Sequence, residues 1–245
     1  MNDRGITRRD LLAGAAGACA LGSEASAQSD GQREVDLHLV LAVDASGSVN
    51  QTRFELQRAG YAAAFRDKDV QMAIRGGALG RIAVTMVQWT GPRLHVVVVP
   101  WVMVDGPAGA DALAAAIDKA PRQLFGGGTS VSGAIDFSAT LFPQSPFQGG
   151  RRVIDVSGDG RNASGRPATV ARDAAVAQGI VINGLPILAV EWDLAEHYRD
   201  EVIGGPGSFM IPAKDFNDFA DAVRRKLILE ISGLPGSVKV GDNRG

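Results

Sequence analysis

The chain is short of the groups that signal covalent or redox chemistry. Its 245 residues hold one cysteine, Cys19, within an N-terminal stretch that reads as a leader. Once such a leader is removed no thiol remains, which excludes a disulfide framework, a thiol nucleophile and a thiolate metal centre. Charge of one sign is lacking too. The 25 Lys and Arg stand against 27 Asp and Glu, a net charge of -2 with both signs spread along the chain. With no basic stripe, nucleic acid is not an expected partner. No Gly-x-Ser-x-Gly elbow is present, and the glycine run at Gly126 is not followed by Gly-Lys-Ser/Thr, so neither a serine hydrolase nor a phosphate-binding loop is indicated. The three histidines, His38, His95 and His197, are scattered and fit structural roles better than ligation or catalysis. No internal repeat or second domain boundary is visible.

The N-terminus reads as targeting sequence. Thr7-Arg8-Arg9-Asp10-Leu11-Leu12 resembles a twin-arginine export signal. The Ala- and Gly-rich run from Leu11 to Gly22 is too short to span a bilayer. Ala25-Ser26-Ala27 then matches the small-x-small pattern of signal-peptidase cleavage, which places the cut after Ala27. The expected organisation is a leader over 1–27, a linker over 28–34, one domain over 35–232 and a flexible tail over 233–245. The expected location is periplasmic or secreted. A lipid anchor at Cys19 is the alternative, although Ala16 stands where a larger aliphatic residue is preferred.

What remains is 45% hydrophobic, enough for a large core, and alternates strand and helix signals. Strands are expected over Asp36–Val43, Arg81–Trp89, Leu94–Val99, Arg152–Ser157, Ile180–Ala189 and Ser208–Ile211. The third is close enough to the second to be its antiparallel partner. Helices are expected over about Gln51–Arg66, Asp111–Ala120, Ser130–Leu141, Pro167–Gln178, Ala195–Val202 and Phe216–Ile231, with a short turn over Val70–Ile74. The pattern predicts an α/β fold, a doubly wound, mostly parallel six-stranded sheet with one antiparallel edge strand and helices on both faces. Asn183-Gly184 in the middle of a strand suggests a bulge. Asp155, mid-strand, reads as a buried carboxylate paired with backbone or with Arg151 or Arg152, or as support for the site below. Trp101 and Trp192 read as core or edge packing, with rim aromatics for a partner as the alternative.

The chemistry sits where strands end. Leu37 to Val43 is an apolar run closed by Asp44-Ala45-Ser46-Gly47-Ser48. Three short oxygen side chains, Asp44, Ser46 and Ser48, stand at alternate positions on a tight turn and can converge on one hard cation. Oxygen ligation of that kind suits Mg²⁺ or Mn²⁺, not zinc. Alone, an Asp-x-Ser-x-Ser cluster is an ordinary turn. Two later segments add matching oxygens in order, Gly126-Gly127-Gly128-Thr129-Ser130 and Ser157-Gly158-Asp159-Gly160. In a doubly wound sheet such segments line the ligand-binding rim.

On these three segments the chain resembles the von Willebrand factor A domain superfamily and its metal-ion-dependent adhesion site. Stretches such as Gly80–Val84, Arg152–Gly160, Ile182–Ile187 and Val202–Gly207 are similar to one exported bacterial group of that superfamily catalogued only as a domain of unknown function. The resemblance implies that Ser46 and Ser48 bind the metal directly. Thr129 would join once a partner is bound, and Asp44 and Asp159 would act through waters. A sixth position is left for an Asp or Glu of a protein partner. Ser157-Gly158 before Asp159 departs from many relatives, which carry a β-branched residue there. The implied function is a non-enzymatic binding module. The alternative is a metal-dependent hydrolase or phosphoryl-transfer enzyme, since fold does not fix function. If the leader is read correctly, replacing Arg8 and Arg9 by Lys leaves uncleaved protein in the cytoplasm. A chain beginning at Gln28 in that variant, seen by N-terminal sequencing, would remove the twin-arginine assignment.

Overall fold

The computed structural model describes residues 33–233. The expected leader, its cleavage point, Cys19, most of the 28–34 linker and all but Gly233 of the tail lie outside them. Among the described residues one sheet has the order β3-β2-β1-β4-β5. Its strands are β1 (Leu37–Asp44), β2 (Ile82–Trp89), β3 (His95–Val104), β4 (Arg151–Gly158) and β5 (Ile180–Pro186). All neighbours are parallel except β2 and β3. The order reverses about β1: the chain leaves β1 for β2 and β3 on one side, then returns to lay β4 on the other. The crevice beyond the C-terminal ends of β1 and β4 is therefore the topological switch point.

β1 is buried along its whole length, as a central parallel strand must be. Its Leu37, Leu39, Leu41 and Val43 enter one core, with α1 (Gln51–Arg66), α2 (Lys68–Arg75), α3 (Pro107–Lys119) and α7 (Phe219–Ser232). Val40 and Ala42 enter the other, with α4 (Val131–Ala139), α5 (Ala168–Val176) and α6 (Leu194–His197). Helix starts follow cap chemistry. Asn50 accepts from the Arg53 amide at 2.9 Å, and Asp67 from the Asp69 amide at 2.8 Å, so the expected turn at Val70–Ile74 is a full helix, α2.

Several expectations are corrected. The sheet has five strands rather than six. Ser208–Ile211 contributes one isolated bridge, Gly184 to Met210, because Pro206 and Gly207 precede it and Pro212 follows. β3 runs on to Val104, and α3 begins at Pro107, whose fixed φ suits a first helical position. Asn183-Gly184 makes no bulge: Asn183 pairs in register with Asp155. The two residues serve opposite faces. A Cβ on Gly184 would lie 2.6 Å from Tyr198 Cδ1, so the missing side chain makes the slot for the Tyr198 ring. Asn183 faces α7, where its Nδ2 donates to Glu230 Oε1 at 2.8 Å and its Oδ1 accepts from the Phe209 amide at 2.9 Å.

Asp155 pairs with neither Arg151 nor Arg152. Its partner is Lys226 of α7, with Nζ 2.6 Å from Asp155 Oδ1 and 2.5 Å from Glu230 Oε1, every side chain fully buried. One ammonium thus serves two carboxylates, and burial with Glu230 nearby pushes the Asp155 carboxyl above its ordinary range while Lys226 pulls it down. Lys226→Met is expected to cost about 3–5 kcal/mol, because removing one partner leaves buried charge uncompensated. Urea unfolding checks this; a loss below about 1 kcal/mol would mean the pair is replaceable packing.

Candidate metal centre

β1 delivers Asp44 to the switch point, and the turn after it folds back on its carboxylate. The Ser46 amide donates to Asp44 Oδ1 at 2.7 Å, and the Ala45 amide donates to the Trp89 carbonyl at 2.9 Å, so the loop is tied to both β1 and β2. β4 delivers Asp159 beside it, with the Asp159 amide 3.4 Å from Asp44 Oδ2. The serines complete the cluster: Ser46 Oγ lies 3.2 Å from Ser48 Oγ, and Ser48 Oγ donates to Asp159 Oδ1 at 2.5 Å. Asp44, Ser46 and Asp159 are fully buried while Ser48 is exposed, so the cluster opens to solvent at Ser48.

Thr129 reaches this rim from the other side. Its Oγ1 lies 3.7 Å from the point where a Cβ would stand on Gly160, next to Asp159. The glycine run before it takes positive φ at Gly126, Gly127 and Gly128. This lets the Gly127 carbonyl pass so close to Gly91 that a Cβ on Gly91 would fall 2.2 Å from it. Of the five residues expected at the site, the structure links Asp44, Ser46, Ser48 and Asp159 by hydrogen bonds and sets Thr129 at its border.

The departure at Gly158 has a steric cause. A Cβ there would stand 3.0 Å from Asp44 Oδ2, 3.1 Å from Trp89 Cζ2 and 3.1 Å from the Tyr198 hydroxyl. The wall behind Asp44 is therefore aromatic, and a β-branched residue does not fit. Tyr198 begins a π-helical turn over Tyr198–Val202, and its buried hydroxyl has no hydrogen-bond partner.

Burial, and then repulsion from Asp159, pushes the Asp44 carboxyl up to about 7. Asp159 is also raised, by burial first and with Glu191 adding, while Ser48 and Arg53 act the other way. Two buried acids, the amide of one 3.4 Å from a carboxylate oxygen of the other, with serine hydroxyls beside them, form an oxygen-only pocket, and a hydroxyl without a partner lies at its wall. That fits a small hard cation that keeps part of its water. Among the described residues no group of three or more His, Cys, Asp or Glu is gathered to hold a metal.

Some of what holds the centre carries no sequence motif. Gln57, buried in α1, donates to the Asp44 carbonyl at 3.1 Å. Arg122 donates to the Ala45 and Ser46 carbonyls at 3.1 and 3.3 Å and lies over Phe54 and Phe125. Arg53 donates to the Ser48 carbonyl at 2.8 Å and pairs with Asp159 Oδ2 at 3.4 Å. Arg161 is clamped by Glu191 at 2.9 Å and Asp193 at 2.5 Å. The two tryptophans part ways: Trp192 stands 83% exposed between Glu191 and Asp193, as the rim alternative has it, whereas Trp101 packs on Phe142 and donates to the Leu141 carbonyl as edge packing.

The family model described as a protein of unknown function (DUF1194) matches residues 34–235. The chain belongs to that family. Its fold is that of the von Willebrand factor A domain. Proximal thread matrix protein 1 from the mussel byssus superimposes with a TM-score of 0.61 at 12% identity, covering 82% of this chain and 48% of its own. A second structure of that protein, with a zinc-occupied metal-ion-dependent adhesion motif, gives 0.57 at 12% identity over 82% and 49%. A von Willebrand factor type A structure from Catenulispora acidiphila gives 0.56 at 16% identity over 81% and 43%, and the pilus adhesin SpaC of Lactobacillus rhamnosus GG gives 0.55 at 14% identity over 82% and 32%. The chain thus spans less than half of each of these. No curated protein matches it in sequence.

The raised carboxyls set the pH dependence of the metal-free protein. A folded Asp44 that holds its proton up to about 7, against 3.8 for an ordinary Asp, makes folding take up a proton between those values. Stability is therefore greatest below the unfolded value and falls as pH rises toward 7. In chelator the melting temperature should drop between pH 5 and pH 8, and Asp44→Asn should flatten that drop in part, with Asp155 supplying a further share. Thermal melts across this range test it. Melting that rises over the same interval, with Asp44→Asn no different from the native chain, would contradict the assigned burial.

Proposed function

We propose that the chain is an exported binding module that engages a protein partner through an Asp or Glu carboxylate at a Mg²⁺ or Mn²⁺ centre. The observation that carries it is the hydrogen-bonded cluster of Asp44, Ser46, Ser48 and Asp159, buried at its base and open at Ser48. Ser46 and Ser48 would be direct ligands, Asp44 and Asp159 would fix the charge and orient waters, and Thr129 would coordinate in the partner-bound state. When bound, the cation supplies an open coordination position that attracts an anionic oxygen. The named relatives support the class: one is a pilus adhesin, one a byssal matrix protein with zinc at a motif of this kind. The oxygen-only donor set here favours the harder cations.

The surface around the opening supports a protein as partner. Phe125 is 71% exposed and Trp192 83%, the two most exposed large hydrophobic side chains among the described residues. Phe125 lies under the Arg122 guanidinium that holds the Ala45-Ser46 turn, and Trp192 lies between the two acids that clamp Arg161. Exposed aromatics beside arginines that are themselves held in place are the composition of a binding patch, not of an inert surface. No helix among the described residues is long and apolar enough to cross a membrane.

The residue roles separate in solution. Asp44→Ala or Asp159→Ala should abolish Mn²⁺ binding by calorimetry, and Ser46→Ala or Ser48→Ala should weaken it by about tenfold or more, a loss of about 1.4 kcal/mol. Thr129→Ala should leave Mn²⁺ affinity nearly intact but reduce capture of the partner in a pull-down from the exported fraction, and chelator should abolish capture. A partner held equally in chelator and by Thr129→Ala would place recognition elsewhere on the surface.

A further inference from the structure

The first turn of α1 carries a charge that the helix itself disfavours. A helix N-terminus is stabilised by acidic side chains and opposed by cationic ones. Yet α1 has no acidic residue in its first turn, and Arg53 stands there. Three contacts hold Arg53 over the metal cluster: its Nη1 donates to the Ser48 carbonyl at 2.8 Å, the same nitrogen lies 3.4 Å from Asp159 Oδ2, and the guanidinium stacks on Phe216 at 5.1 Å. Its side chain is 32% exposed and that of Asp159 fully buried. Among the described residues no other cation forms an ion pair with Asp44 or Asp159. Arg161 is spent on Glu191 and Asp193, and Arg122 on the carbonyls of Leu124, Ala45 and Ser46.

We infer that Arg53 sets the charge of the loaded centre, loosening its hold on the cation and strengthening its hold on an incoming carboxylate. This rests on the reading of the cluster as a metal centre. With both acids ionised, a divalent cation is neutralised by Asp44 and Asp159 alone, and a neutral centre draws an anion only through the ligand bond. Arg53 adds one positive charge in contact with the loaded centre, beyond the longer-range and opposing charges of Arg122 near Asp44 and Glu191 near Asp159. It thereby adds Coulombic attraction in a partly dehydrated setting. The same charge repels the cation as it arrives and already occupies one oxygen of Asp159. One side chain thus moves the two equilibria in opposite directions. A residue that merely braced the Ser48 loop would move them together.

The test is a charge series at one position, Arg53→Lys, Arg53→Gln and Arg53→Glu, in the full chain, with folding checked by near-ultraviolet circular dichroism. Mn²⁺ affinity is read by calorimetry. Acetate, as the carboxylate probe, is titrated at saturating Mn²⁺ and read by the fall in water-proton relaxation as it displaces coordinated water. Arg53→Gln should bind Mn²⁺ about 3- to 10-fold more tightly and acetate about 3- to 10-fold more weakly, the size expected for one partly exposed charge at close range. Arg53→Glu should extend both trends, and Arg53→Lys should keep both constants within about twofold of the native chain. The opposed movement should shrink at high salt. Constants that weaken together, or do not move along the series, overturn the assignment to Arg53 while leaving the metal centre standing. No Mn²⁺ uptake by the native chain overturns both.

Discussion

Two ionisable acids are carried to the same buried point by two adjacent parallel strands, and much of the rim is arranged around that repulsion. Asp44 ends β1, Asp159 follows β4, and the Asp159 amide lies within 3.4 Å of the other carboxylate. In water the two groups would move apart. Here they cannot, because β1 and β4 pair in register from Leu37–Arg151 to Val43–Ser157. The hydrogen bonds from the Ser46 amide and the Ser48 hydroxyl each satisfy one oxygen without adding positive charge. The fold therefore holds two acids whose ionisation burial opposes, and that cost is what a cation would relieve.

The second buried charge cluster of the molecule is a useful contrast. On the other side of β4, Asp155 and Glu230 also meet in the interior, but there α7 supplies Lys226 between them, and Asn183 donates to the same Glu230 oxygen that Lys226 holds. The protein answers one acidic pair with its own ammonium, fully sequestered, and answers the other with a single half-open arginine. An internal cation as complete as Lys226 at the Asp44–Asp159 pair would leave no room for an external one. The difference in burial, fully enclosed against open at Ser48, separates a structural ion cluster from one that can exchange its counterion.

Most of this was legible in the sequence where a short-range pattern carried it. The apolar run into Asp44, the glycine run before Thr129 and the Ser-Gly-Asp-Gly after β4 each place an oxygen at a strand end or helix start, and doubly wound topology does the rest. What was illegible depended on long-range packing. Gly158 and Gly184 look like weak spots in strands, and their reason is a single tyrosine, Tyr198, some distance along the chain, whose ring and hydroxyl occupy the space both leave. Asp155 found Lys226 rather than a neighbouring arginine because α7 packs against the β4–β5 side of the sheet, a fact no local window contains. The sixth strand failed for a local reason that outweighed its apolar residues: prolines at 206 and 212 and glycines at 205 and 207 leave only an isolated bridge. Arg53 carried a signal, a cation in a helix first turn, that is visible in sequence once helix ends are weighed for charge as well as for caps.

The loops of the rim are joined to one another more firmly than their glycine content suggests, and this bears on how a bound partner would be felt. The Thr129 carbonyl accepts from the Ala163 amide at 2.9 Å, the Ser164 amide at 3.1 Å and the Ser164 hydroxyl at 3.2 Å. Ser130, which caps α4, donates its hydroxyl to the Ser164 carbonyl, and the Ser132 amide donates to Asn162 Oδ1. The Asn162 amide in turn donates to His197 Nε2 at the end of α6, next to Tyr198. Thr129 is therefore tied to 162–164, and through Asn162 to the turn that seats Tyr198 against Gly158 and Asp44. The glycines at 126–128 enter that linkage from the other end, where Gly127 packs closely on Gly91. Thr129, the start of α4, the loop after Asp159 and the wall behind Asp44 are thus one hydrogen-bonded unit, so the group expected to meet a partner and the wall of the cluster are held by the same bonds.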